Sequence, residues 1–216
     1  MISTRDLSLL PDVHGLRRTL QSMAMLDAIL CPEWQYRYYS FNAAWATAEQ
    51  MGSMRNGSGD DFFVHFGPSG CWIKGFAHEA QMTPYRENPA RVWPGVLDAV
   101  PHEFADCLRE PAFSVEEVTF CIWRRAADRE WHIGPIEFPG GETDPDGSIY
   151  LLSRLDGRPE TYRSWATEYF DRELSLAAVR HVYQHRPLTS QIVAQLNPEM
   201  SLAQLAADRN EIGYPK

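Results

Sequence analysis

Residues Asp61–Ala77 read DFFVHFGPSGCWIKGFA, two runs of strand-forming residues on either side of Gly67-Pro68-Ser69-Gly70. Glycine and proline together mark a turn, and the flanking alternation marks strands. A four-residue turn at Gly67–Gly70 pairs Phe66 with Cys71 and Phe63 with Lys74. Side chains alternate across a strand, so each residue's face follows. Phe62, Val64, Phe66, Cys71, Ile73 and Gly75 share one face, which is apolar throughout and therefore belongs to a core. Asp61, Phe63, His65, Trp72, Lys74 and Phe76 share the other. That face mixes large aromatic rings with three ionisable groups, an unusual composition for a purely solvated surface.

Two readings of the second face follow. It can be a ligand-facing wall, where Phe63, His65, Trp72 and Lys74 supply apolar area and a few orienting polar groups. The plainer reading, which is preferred, covers it with helices and leaves the ionisable groups at the rim. His78-Glu79 follows at the strand end. A histidine beside a carboxylate there is a candidate general base. Adjacent residues on an extended chain point to opposite sides, so His78 and Glu79 are expected to work with third groups such as Lys74 or Asp61. The catalytic candidates are therefore His78, Glu79 and Asp61.

Outward from the hairpin, residues 12–31 repeat Val13, Leu16, Leu20, Met23, Leu26 and Leu30 at helical spacing, and Cys31-Pro32 stops the helix. Tyr36–Phe41 makes an aromatic strand and Trp45–Arg55 a second. Asn56-Gly57-Ser58-Gly59 is a turn, so residues 36–77 form an antiparallel meander. Residues 78–95 hold three prolines and read as a long loop, a kind of segment that is often functional. Val96, Leu97, Val100, Phe104 and Leu108 predict a middle helix over 96–109. Val118–Arg125 and Trp131–Ile136 form a second hairpin, and residues 139–147 an acidic loop. Helices then follow from Ser148, Pro159, Ser175, Thr189 or Ser190, and Ser201. Runs of strands and runs of helices, without strict alternation, argue α+β. The expected fold is an antiparallel meander plus hairpin, packed with an N-terminal helix, a middle helix and a helical C-terminal tail. One globular domain is expected over 1–216, its sheet-containing part within 1–147 and its helical part within 148–216.

The net charge is −9, from 20 basic and 29 acidic residues. Residues 1–58 hold five of each sign and residues 161–216 six of each, so the whole excess lies in 59–160. Nucleic-acid binders show a basic stripe, which is missing here, so nucleic acid is excluded as a partner, as is an anionic membrane surface. An acidic middle fits solubility or a basic protein partner. No apolar run reaches the ~18 residues of a membrane span. The N-terminus lacks a signal-peptide pattern, and Cys31, Cys71, Cys107 and Cys121 show no paired spacing. A cytoplasmic location is expected.

Several tempting motifs fail on inspection. Arg55–Asp61 resembles a phosphate loop but lacks the lysine and the following helix, and its two acids would repel phosphate. His181 and His185 fall at i, i+4 opposite an apolar stripe, with no acidic residue nearby. Glu142, Asp144 and Asp146 lack calcium-loop spacing. No nucleophile elbow is present, and the cysteines read as buried structural thiols. Neither a metal nor a cofactor is expected. Met54–Gly59 (MRNGSG), Lys74–Tyr85 (KGFAHEAQMTPY), Thr119–Arg125 (TFCIWRR) and Leu155–Tyr162 (LDGRPETY) together resemble a group of uncharacterised bacterial proteins. That resemblance implies a bacterial source and a single domain, and it assigns no activity to any residue. The favoured function is a non-enzymatic binding or interaction protein, such as an immunity-type or regulatory module. The alternative is a small-molecule-binding protein or enzyme with its site between the 61–79 hairpin and the 78–95 loop.

Overall fold

The computed structural model describes residues 1–216. Helix α1 (Val13–Leu30) starts at Asp12, whose carboxylate accepts from the Gly15 N–H. Every residue of α1 from Thr19 to Leu30 is buried, because the helix lies between the sheet and the C-terminal helices. Burying each of its large apolar side chains contributes about 1.5–3 kcal/mol.

The strands follow in sequence order: β1 (Tyr39–Ala46), β2 (Glu49–Arg55), β3 (Asp61–Gly67), β4 (Gly70–Phe76), β5 (Phe120–Arg125) and β6 (His132–Ile133). All neighbours pair antiparallel, and the spatial order is also β1 to β6. The meander and the second hairpin thus form one six-stranded sheet. Phe63 pairs with Lys74 and Phe66 with Cys71, as the turn length requires. At the outer edges, the register of β1 shifts between Asn42 and Ala46, and β6 is only two residues long.

The remaining helices are α2 (Ser148–Leu152), α3 (Pro159–Tyr169), α4 (Leu176–Tyr183), α5 (Ser190–Leu196) and α6 (Ala206–Ile212). Ser175 and Thr189 cap α4 and α5 through their side-chain oxygens. Ser201 and Gln204 exchange reciprocal hydrogen bonds ahead of α6. These helices and α1 pack on the face carrying Phe62, Val64, Phe66, Cys71 and Ile73. Two buried amides are satisfied across that layer: Gln21 Nε2 donates to the Ile212 carbonyl and Asn197 Nδ2 to the Ile29 carbonyl.

The other face is covered differently from the expectation. No helix forms over 96–109. A single 3-10 turn, His102–Phe104, interrupts an otherwise irregular chain. Pro101 is the cause: it has no N–H to donate and its ring crowds the preceding turn. Ala99, at φ +64°, reverses the chain just before it. The apolar stripe still does its work without helical geometry. Val96 and Phe104 are buried with Met82, Cys107, Phe113 and Val118 against Phe63 and Trp72.

No helix is long and apolar enough to cross a membrane. All four cysteines are unpaired.

Candidate functional site

The candidate ligand wall is the floor of this second core. Trp72 is fully buried, and the Phe113 ring lies 5.3 Å from it and 5.6 Å from Phe63. Lys74 is fully buried too, its Nζ 2.8 Å from Asp61 Oδ1 and 5.5 Å from the ring centres of Phe63 and Phe76. Burial moves both groups toward neutrality: it lowers the Lys74 pKa and raises that of Asp61, against the pull of their mutual attraction. His78 pairs with Asp60, not with Asp61 or Lys74. Its Nδ1 stands 2.7 Å from Asp60 Oδ1, and that hydrogen bond raises the His78 pKa. Glu79 is exposed, 3.9 Å from His78 Nε2. None of Asp61, Phe63, Trp72, Lys74, His78 and Glu79 lines either of the two clefts described below.

The acidic loop and the paired histidines resolve as structural features. Asp144 accepts from the Ile149 and Tyr150 N–H groups, and Asp146 from the Thr4 hydroxyl and the Ser148 N–H, so both fix the start of α2. Helix α4 ends before His185. The His181 ring donates to the Pro187 carbonyl and the His185 ring to the Arg18 carbonyl, so the two do not share a ligand.

His65 does open on a cleft. About 250 Å³ lies between Trp45 and Glu49 of the β1–β2 hairpin, the Gly67–Gly70 turn, and residues 103–113. The ring of His65 lies over Gly67, where a Cβ would come within 2.9 Å of its Cε1. Its Nδ1 is 3.4 Å from Cys107 Sγ and its Nε2 is 3.1 Å from Glu49 Oε2. Thiol, imidazole and carboxylate thus stand in the order nucleophile, base, orienting group. Burial first, then the charges of Glu49 and Asp106, push the Cys107 thiol up to about 12. The thiol is therefore protonated at neutral pH. Its Sγ and the Glu49 carboxylate flank the two ring nitrogens of His65 within hydrogen-bonding reach.

The cleft's lining is otherwise acidic and aromatic. Glu103, Asp106 and Glu110 join Glu49, and Trp45, Phe104 and Phe113 supply rings, with no arginine or lysine among them. Asp106 is paired with Arg109 at 2.7 Å. Glu49, Glu103 and Glu110 have no arginine or lysine partner, touching instead His65, His102 and the Ala112 N–H. Trp45 stacks on Phe113 with ring centres 6.4 Å apart. Cys107 and Glu49 were not among the residues singled out from sequence. They lie 42 and 16 positions from His65, and only the fold brings them together.

No protein-family model, curated protein or solved structure matches this chain. Its function is therefore argued from its own geometry.

Proposed function

We propose that this is a binding protein whose cleft at Trp45, Glu49, His65, Glu103, Cys107 and Glu110 receives a cationic group, the arginine or lysine side chain of a basic protein partner. One observation carries the reading: three carboxylates without an arginine or lysine partner share a pocket with aromatic rings, and no arginine or lysine lines it. A guanidinium entering there gains carboxylate partners and ring faces, and it relieves the carboxylates' mutual repulsion. The acidic excess in residues 59–160 steers such a partner toward this end of the sheet. Four unpaired thiols fit action in a reducing compartment such as the cytoplasm.

The Cys107–His65–Glu49 alignment favours a second reading, a thiol enzyme. The protonated thiol weighs against it. A thiol pushed up to about 12 is ionised to only about one part in 10⁵ at pH 7. The same acidic collar that suits a cation suppresses a thiolate.

The test is calorimetric titration of the protein with a short arginine-containing peptide and with its citrulline counterpart, which is uncharged and of nearly the same shape. The arginine peptide should bind at least tenfold more tightly, an advantage that shrinks with added salt and in Glu49→Gln and Glu110→Gln. Equal affinity for both peptides refutes the proposal. Iodoacetamide labelling separates the second reading: Cys107 should react more slowly than Cys31, and faster labelling of Cys107 at neutral pH supports a catalytic thiol.

A further inference from the structure

The largest concentration of exposed rings lies away from the acidic cleft. Trp34, Tyr36 and Tyr169 remain 55%, 63% and 45% exposed, and all three line one cleft of about 280 Å³ with Gln35, Arg55 and Gly57. Tyr169 is fixed there by stacking on Trp165 at 5.0 Å and by an edge contact with Tyr38 at 5.2 Å. A rigid, half-exposed ring at a cleft wall is a ready stacking surface.

The charge of this cleft is opposite to that of the molecule. No aspartate or glutamate lines it, in a chain of net charge −9. Arg37 is engaged with Asp208 and with the Cys31 and Pro32 carbonyls. Arg55 is free of ion pairs, its guanidinium resting 5.5 Å from the Phe63 ring centre. Beside it the Asn56–Gly59 turn is closed from within: Asn56 Oδ1 accepts from the Ser58 and Asp60 N–H groups. The Gly57 N–H makes no hydrogen bond in the chain, and the space a Cβ would occupy at Gly57 is open to 4 Å.

The two acids that follow this turn argued from sequence against an anion. In the fold their carboxylates are occupied. Asp60 accepts from the His78 N–H at 2.9 Å and from Asn56 Nδ2 at 2.6 Å, and it pairs with the His78 ring; Asp61 is held by Lys74. Neither lines the cleft.

We propose that this cleft binds a mononucleotide, its base against Trp34, Tyr36 and Tyr169 and its phosphate on Arg55 and the Gly57 N–H. Aromatic rings stack on any nucleobase, and a guanidinium beside a free backbone N–H matches a phosphate's oxygens. One free arginine suits one phosphate group. A nucleic-acid strand needs a track of basic residues, and the cleft offers none.

The test is calorimetric titration of the full chain with AMP, GMP, CMP and UMP, with the four nucleosides and inorganic phosphate as controls. At least one monophosphate should saturate with a Kd of about 1 mM or lower, and its nucleoside should bind at least tenfold more weakly. Trp34→Ala and Arg55→Gln should each weaken that binding about tenfold, while His65→Gln, in the acidic cleft, leaves it unchanged. Both substituted side chains are solvent-exposed, so the variants should keep the parent Tm; should Trp34→Ala lower it, Tyr36→Ala replaces it. The proposal fails if no monophosphate saturates by about 10 mM, if the nucleoside binds as tightly as its monophosphate, or if the Trp34 and Arg55 variants bind like the parent.

Discussion

Asp27 should make the protein less stable as pH rises through neutrality, and Asp27→Asn should abolish that loss. The carboxylate is fully buried on α1. Oδ2 accepts from the Tyr38 and Tyr39 N–H groups at 2.9 and 2.8 Å, and Oδ1 accepts from the Tyr162 hydroxyl at 2.6 Å. Burial raises its pKa from 3.8 to about 7, overcoming the opposing pull of the Tyr162, Tyr39 and Tyr38 hydrogen bonds and of Arg37. A carboxyl group whose folded pKa lies above its unfolded pKa binds its proton more tightly when folded. Its stabilisation is fully present below about pH 4 and is lost as pH rises through about 7. The whole effect is worth about 4 kcal/mol, of which about 2–3 kcal/mol falls between pH 5 and pH 8. An asparagine reproduces the protonated state: its oxygen takes the two N–H groups and its Nδ2 donates to Tyr162. Urea unfolding of the parent and of Asp27→Asn at pH 5, 6, 7 and 8 isolates this group, because all other titrations are common to both. The parent's stability relative to the variant should fall by about 2–3 kcal/mol across the series. A difference that stays flat, or that grows with pH, refutes the reasoning.

Three further outcomes are expected. Lys74→Met alone should cost about 3 kcal/mol in urea unfolding, since it strands the Asp61 carboxylate, and adding Asp61→Asn should recover most of that loss. Gly75→Ala should destabilise by about 1–3 kcal/mol, because its Cβ would stand 2.0 Å from the Phe120 ring in a packed core; Phe120→Leu in the same chain should restore part of it. Asp60→Asn should bring the His78 pKa down toward the ordinary histidine range in an NMR titration, since the Asp60 hydrogen bond is the main cause of its elevation.

Much of the sheet was legible in the sequence because β-structure has a period of two. The alternation in Asp61–Ala77 settled both faces and the pairing of Phe63 with Lys74 before any packing was known. The second face reads as covered with its ionisable groups at the rim; it is covered, but Lys74 lies fully buried within it, because Asp61 pairs with its ammonium there. Its cover was misassigned because the stripe from Val96 to Leu108 has helical spacing, and that pattern outweighed Pro101 in the reading. A proline at the sixth position of a predicted helix carries more weight than five apolar matches. The catalytic candidates had sound local chemistry, but burial decides the role of an ionisable group, and burial depends on contacts far along the chain. Lys74 reads from sequence as an orienting polar group of a ligand wall and is sealed beneath Phe63 and Phe76. His65 was noticed on its strand, while Cys107, 42 residues away, was set aside as part of the expected helix. Trp34 and Tyr36 drew no notice as a cleft wall, because an aromatic run before a strand reads as the strand itself; here 34–36 is a 3-10 turn that leaves both rings outside.

The two ends of the sheet limit how other chains can approach it. An outer strand with a straight run of unpaired N–H and C=O groups invites a further strand from another molecule. Here β1 loses its regular register after Asn42 and has α6 packed against it, and β6 offers only His132 and Ile133. Neither border can template a ladder of useful length. Self-polymerisation through the sheet is thereby blocked, and so is capture of an extended peptide as a seventh strand. What the sheet leaves for a partner is side chains set in clefts, and these can change one residue at a time without disturbing the backbone that carries them.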